Sequence, residues 1–384
     1  MPADPCLFFD SSISEMVDTP CHLVDADRLR HNLAVLQGIG RQAGCRVLAS
    51  LKAFAFPELA RLISGELDGL SISSVNEAVL AEDLGARAIH AHAPAWDRKS
   101  LSRVTGICTQ ISLNSLSQWE RHRATGGFDR GPSYGLRVNP QRSAATAECY
   151  DPCRPGSRLG ARAAAVAEAD LDGLEGLHVH ALCEAGADDL ERVVAALDDF
   201  EPLLKRCRWV NLGGGHNLTH PDYRRDLLAE VIAGLRRRHD VEVFLEPGAA
   251  VVWDCGVMVV EVLDIVRNGV DVAIIDASVV AHCPDVLELP GRPAVLGARR
   301  GAGGPFVYAL GGNSCMASDV FGTFSFDRPL RVGQRLQLLD MAHYSMVRTS
   351  FFNGLAPPGI VIVDGGRPHS ARQFGYGDYR RMIG

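Results

Sequence analysis

No run in the 384 residues approaches the roughly 20 apolar positions that a membrane-spanning helix needs, so a membrane protein is not expected. The opening segment MPADPCLFFDSSISEMVD carries acids and lacks both a basic start and a long apolar stretch, which argues against a secretory signal. There is no long Lys/Arg run of the kind that tracks a phosphate backbone, so nucleic acid is not expected as a partner. None of the eleven cysteines is paired as C-x-x-C, and the odd number is scattered from Cys6 to Cys315. Such spacing fits reduced thiols in a core better than a disulfide framework. The closest pair, Cys149 and Cys153 in CYDPC, has no histidine nearby, and no metal site is expected. Internal repeats and long low-complexity tracts are also absent. Together these absences point to a soluble, cytoplasmic globular protein.

What is present supports a large core. The chain is 47% hydrophobic and 22% charged, enough for one big domain and a second smaller one. Its net charge of −7 is spread along the chain and suits a cationic substrate. From about residue 20, short apolar or β-branched runs alternate with helical patterns, the signature of βα units and a parallel sheet. Eight strand ends can be counted: CRVLASLK at Lys52, LSISS at Ser74, AIHAHAP at Pro94, QISLNS at Ser115, YGLRVNP at Pro140, GLHVHAL at Leu182, WVNLGGG at Gly215 and VEVFLEPG at Gly248. Helices are expected at Asp25 to Gln37, Asn76 to Leu84 and Asp188 to Lys205. Eight units predict an α/β fold of the TIM (β/α)₈ barrel type. A short strand at Cys21 to Val24 is expected to lead into it. After Gly248 the runs MVVEVLDIV, VDVAIIDAS, PFVYALGG, RLQLLDM and IVIVD are β-like, with Gly/Pro-rich turns between them. The expected division is a barrel over 20–263 and a mostly β domain over 264–384, on which residues 1–19 pack.

Active sites of such barrels lie at the C-terminal strand ends, with phosphate often held after strands seven and eight. Lys52 ends strand one in the apolar setting ASLKAFAF, where desolvation depresses a lysine pKa, as a Schiff-base lysine requires. A snorkelling or salt-bridged lysine is the plainer alternative. Gly213, Gly214 and Gly215 follow strand seven and could offer successive N–H groups to an anion, or could simply form a tight turn. Glu246 ends strand eight. A carboxylate there could keep a pyridine nitrogen protonated and make the ring an electron sink, or could cap the following loop. His178 and His180 share a face of strand six, and His180, nearer the end, could stack on a planar cofactor. In GGNSCMASDVFG, the Cys315 thiol could donate a proton and Asp319 could hold an ammonium.

These residues resemble the fold-type III pyridoxal-phosphate (PLP) decarboxylases of the alanine racemase and ornithine decarboxylase superfamily, and within it the carboxynorspermidine/carboxyspermidine decarboxylases. The resemblance runs from about residue 20 to GYGDYRR and rests on SLKAF, SISSVNEA, SRLG, HVHALCE, LGGG, LEPG, VVAH, SCMASDVFG, YSMVR and FFNG in order. It implies that Lys52 carries the pyridoxal 5'-phosphate, that His180 stacks on its ring and that Glu246 pairs with its nitrogen. Gly213 to Gly215, the backbone at Gly248 and Tyr344 would hold the phosphate. It further implies a homodimer with active sites at the interface, to which Cys315 and Asp319 reach from the other subunit. The substrate class is a cationic amino acid, a carboxylated polyamine that loses its α-carboxylate, with Glu184, Asp285 and Asp319 as candidates for its distal ammonium groups. Two positions depart from the family pattern: Ala185 replaces the Asn of CEN, and Ala249 replaces the second acid of EPGE. They favour, as an alternative, a decarboxylase of the same subfamily acting on another amino acid. An amino-acid racemase fits less well with Glu246, and a non-catalytic relative fits less well with the retention of Lys52 and Cys315.

Overall fold

The computed structural model describes residues 7–125, 131–145, 147–288 and 293–384. The chain divides into two compact units, Asn32–Val251 and Met1–His31 with Val252–Gly384. The eight expected strands close into one parallel barrel: Arg46–Ser50, Gly69–Ile72, Ile89–His92, Gln110–Leu113, Ser133–Val138, Gly176–Val179, Trp209–Asn211 and Glu242–Leu245. All but the first residues of these strands are largely buried, as strands covered on both faces must be.

Helices follow the strands where the sequence supplies a start signal. Ser74 accepts the Glu77 N–H and opens Val75–Asp83, while Glu77 returns a carboxylate oxygen to the Ser73 N–H at 2.6 Å. Ser115 caps Leu116–Arg123 in the same way. The single helix expected over Asp188 to Lys205 is instead Ala187–Ala195, a 3₁₀ segment at Ala196–Phe200 and Glu201–Leu204. Pro202 has no N–H to continue an α-helical ladder, so the backbone tightens before it.

The lower barrel interior is plugged by one indole. Trp209 packs with Leu48, Ala88 and Phe244 and donates its Nε1–H to Ser133 Oγ at 2.8 Å. The ring packs against two glycines: a Cβ at Gly176 would stand 2.0 Å from it and one at Gly135 2.4 Å. Gly176→Ala should therefore lower stability by about 3 kcal/mol, the upper range for overpacking, seen as a lower unfolding midpoint. Gly176→Ala combined with Trp209→Phe should recover part of that loss, and no recovery would refute the steric cause.

The second unit is built on a nine-stranded sheet. Its long strand, Gly256–Asn268, pairs antiparallel with Val270–Ile275, Arg335–Leu338 and Cys21–Asp25. Cys21–Asp25 also pairs in parallel with Gly359–Asp364. Cys21–Asp25 pairs in this sheet before the helix Ala26–Ala43 runs on to barrel strand one, and the division falls at 31/32 and 251/252 where 19/20 and 263/264 were expected. The reason is that MVVEVLDIV belongs to this sheet from its first residue and supplies the edge against which Cys21–Asp25 pairs. Residues 1–6 lie outside the described residues, but the segment after them does pack on this unit. The Leu7 N–H reaches Asp254 Oδ1 at 2.7 Å, and Phe9 exchanges two hydrogen bonds with the Gln337 side chain. The ten described cysteines are all free thiols. No described helix is long and apolar enough to cross a membrane.

Candidate active site

Above the Trp209 plug, the inward positions of the barrel strands turn polar. Strand three contributes His90 and His92, strand six His178 and His180, and strand seven Asn211, while Glu246 stands just beyond strand eight. Alternation along each strand puts these pairs on one face. The rings sit close: His90 and His178 have centroids 5.3 Å apart, and His92 and His178 4.8 Å.

Glu246, 2% exposed, is the centre of this group. Its Oε1 accepts Asn211 Nδ2–H at 2.8 Å and lies 2.7 Å from His90 Nδ1. Its Oε2 lies 3.3 Å from His92 Nε2 and 3.8 Å from His178 Nε2 but has no hydrogen bond. Behind them, His90 Nε2 meets Ser112 Oγ at 2.7 Å. Burial pushes the Glu246 carboxyl up, but the facing imidazoles of His90 and His92 outweigh it and hold the group well below the usual carboxylate range. Burial lowers His92, His178 and His180, which are neutral rings at neutral pH. His92, His178 and Glu246 also offer ligand atoms within 4.8 Å of one another. The trio could thus converge on a cation, where the sequence suggested no metal site.

Lys52 shares this mouth. Its pKa is lowered first by burial and then by the Arg137 charge, with Glu246 and Glu77 pulling the other way, although the side chain keeps some solvent exposure. Arg137, on strand five, is buried and reaches the His180 carbonyl at 3.3 Å. Burial brings its guanidinium down to about 10, so it is still a cation at neutral pH.

The glycine turn has a tighter reason than anion binding alone. A Cβ at Gly214 would meet the Glu246 carbonyl oxygen at 2.1 Å, and one at Gly215 the Leu182 carbonyl oxygen at 1.9 Å, while Gly213 takes φ +69°. Two of the three N–H groups are already taken, Gly213 by Asn211 Oδ1 at 2.8 Å and Gly214 by His180 Nδ1 at 3.2 Å. The turn thereby orients Asn211 and His180, a role the sequence did not suggest. Ala185 is buried and donates its N–H to the Gly215 carbonyl at 2.9 Å; Glu184 beside it is exposed at φ +53°. Gly248 is buried just after Glu246, and Ala249 is half-buried.

Four expected site residues belong to the second unit. Cys315 is exposed, and its N–H donates to Asn353 Oδ1 at 3.2 Å. Asp319 is buried, and its two carboxylate oxygens accept the Val279 N–H at 2.7 Å and the Ser314 N–H at 2.9 Å. Asp285 is buried, with Ser345 Oγ at 3.2 Å from both its oxygens. Tyr344 is half-buried and takes φ +56° at the start of Ser345–Arg348. Sequence reasoning missed His90, His92, Arg137 and Asn211. The strict His–Ala alternation of AIHAHAP was an available signal, because period two on a strand buried on both faces places both rings inward.

No family model matches the chain. Among characterised proteins it is 35% identical over 378 residues to a carboxynorspermidine/carboxyspermidine decarboxylase of Campylobacter jejuni, covering 95% of this chain and 98% of that one. It is 38% identical over 371 residues to a carboxyaminopropylagmatine decarboxylase of Synechocystis, covering 95% of each. Among solved structures, a carboxynorspermidine decarboxylase from Campylobacter jejuni, complexed with norspermidine, superposes with a TM-score of 0.86 at 33% identity, covering 95% of this chain and all of that one.

Proposed function

The chain belongs to the family of carboxynorspermidine/carboxyspermidine decarboxylases, enzymes of the lyase class in polyamine biosynthesis, and on that premise we propose that it uses pyridoxal 5'-phosphate to remove the α-carboxylate of a carboxylated polyamine. One observation carries the cofactor reading: a buried carboxylate oxygen, Glu246 Oε2, has no hydrogen bond in a barrel mouth that also holds a lysine of lowered pKa. A protonated ring nitrogen is a donor that a lone pair of that oxygen can accept beside the facing imidazoles, and an aldehyde is the partner for that amine.

When bound, the cofactor supplies a protonated ring that accepts the electron pair left by departing CO₂. Lys52 presents an amine whose charged form is disfavoured by burial and by the Arg137 charge. Glu246 keeps a full negative charge for the ring nitrogen. His180, at the end of strand six and tied to the Gly214 N–H, offers a ring face to a planar partner. Gly215 and the backbone at Gly248 would hold the phosphate, since the Gly213 and Gly214 N–H groups have partners already. Cys315 would return the proton to the α-carbon, acting from the other copy of a cytoplasmic homodimer. Asp319, with both oxygens on backbone N–H groups, anchors the loop carrying Cys315, which leaves Glu184 as the exposed acid for a distal ammonium.

CO₂ release from carboxynorspermidine, carboxyspermidine and carboxyaminopropylagmatine, measured side by side, tests this. Release is expected from at least one of the first two, with the polyamine as product. Release only from the third would move the substrate to a guanidinium end, and epimerised substrate without CO₂ would point to a racemase. Inertness toward all three would undo the polyamine assignment.

A further inference from the structure

Among the described residues no lysine or arginine lies within ion-pair distance of Glu246. A buried carboxylate is costly to keep ionised unless it is paired or hydrogen-bonded. The groups that face it are His90 and His92 from strand three, His178 from strand six and Asn211 from strand seven, with His180, Arg137 and Lys52 farther off. Asn211 and His90 account for Oε1. On the other side, Glu246 Oε2, His92 Nε2 and both ring nitrogens of His178 are all buried without a hydrogen bond. Native interiors rarely leave one such atom unmade, and here two ring nitrogens, His92 Nε2 and His178 Nε2, face one unbonded oxygen. Histidines that only filled space would be satisfied elsewhere or replaced by apolar residues.

We propose that His92 and His178 are positioning residues for Glu246: as neutral imidazoles they turn N–H donors toward Oε2 and hold the carboxylate as a monoanion, and that charge keeps the cofactor's ring nitrogen protonated. The proposal rests on the cofactor reading above. Neutral rings add donors without adding charge, so one negative charge then meets one positive ring nitrogen. His92 is one of the two imidazoles that offset burial at Glu246 and His178 adds a donor beside it, so their loss would let the carboxyl take up its proton at a higher pH.

The test uses His92→Leu and His178→Leu, with His92→Gln and His178→Gln to restore an N–H and to cover a Leu variant that fails to fold. Affinity of the cofactor-free proteins is measured from pH 5 to 9 for pyridoxal phosphate and for its 1-deaza analogue, whose ring nitrogen is replaced by carbon. Each Leu change should weaken pyridoxal phosphate binding about tenfold, the size expected of a hydrogen bond to a charged group, while binding of the analogue holds. The pH below which pyridoxal phosphate affinity falls should move upward in the Leu variants and back in the Gln variants. Unchanged pyridoxal phosphate affinity, or equal losses for both ligands, would overturn the proposal. So would one equivalent of zinc bound by the cofactor-free wild type and lost in the Leu variants, because that assigns the trio to a metal. Binding of neither ligand by the wild type would instead bring down the cofactor reading itself.

Discussion

Lys52→Ala is expected to cut decarboxylation to below about one-thousandth of wild type and to remove the absorbance band near the visible edge that a lysine-bound cofactor gives. Two physical facts set the size of the effect. A lysine must be neutral to act as a nucleophile, and few groups but a buried amine offer that at neutral pH. The barrel lowers the Lys52 pKa by burial, with Arg137 adding repulsion, and the attraction of Glu246 and Glu77 does not cancel them. The same arrangement carries a stability cost with a definite pH dependence. Between the lowered folded value and the ordinary 10.5, the unfolded chain binds the extra proton, so stability rises with pH across that window. Lys52→Met, similar in length but uncharged, should therefore raise the unfolding midpoint of the cofactor-free protein at neutral pH. The gap should close as pH climbs toward 10.5. A Lys52→Ala enzyme that keeps the band or a tenth of the activity would remove Lys52 from the chemistry, and a gap that ignores pH would remove the strain.

The barrel was legible because its signal is periodic and local. Each strand run is short, apolar and followed by a helical pattern, and all eight counted runs are the eight strands of the closed barrel. The second unit was less legible, because its pairings are not local. Nothing in CHLVD tells which sheet it joins when its partners lie in Gly256–Asn268 and Gly359–Asp364. Val320–Phe326 was hidden by the motif SCMASDVFG that runs into it, and by Gly322 at φ +125° in mid-strand. Arg367–Arg372 pairs only with Gly359–Asp364, and its sequence RPHSAR has almost no apolar content to betray a strand. At the site, residues at strand ends were readable: Lys52, His180 and Glu246 all stand in the barrel mouth. The residues one step deeper, His90, His92 and Asn211, were not, because a polar side chain inside a strand run reads as an interruption until its partner is known. That partner is Glu246, more than 30 residues away from Asn211 and farther still from the two histidines.

Glu246→Gln keeps the shape of the side chain and should still lower kcat by roughly 10²- to 10³-fold, the loss typical of one misplaced electrostatic contact in a closed site. The hydrogen-bond pattern dictates the amide orientation. Asn211 Nδ2 donates to the Oε1 position at 2.8 Å, so the Gln carbonyl must occupy that place, and its NH₂ then falls where Oε2 stood. A ring nitrogen placed there would face a donor and could not keep its proton, so a bound cofactor would lose its electron sink while its binding would hold. The split is therefore kcat falling with KM little changed, together with a shifted cofactor band. The cofactor-free proteins supply an independent check of the charge. Glu246 titrates well below 4.5 in the folded state, so its contribution to stability is present above that value and fades as pH falls through the folded one. Wild type should lose stability over that acid window relative to Glu246→Gln, which has no proton to take up there. A variant with kcat within tenfold of wild type would show that the ring nitrogen does not depend on this carboxylate, and the fold would then have buried Glu246 among three imidazoles for stability alone.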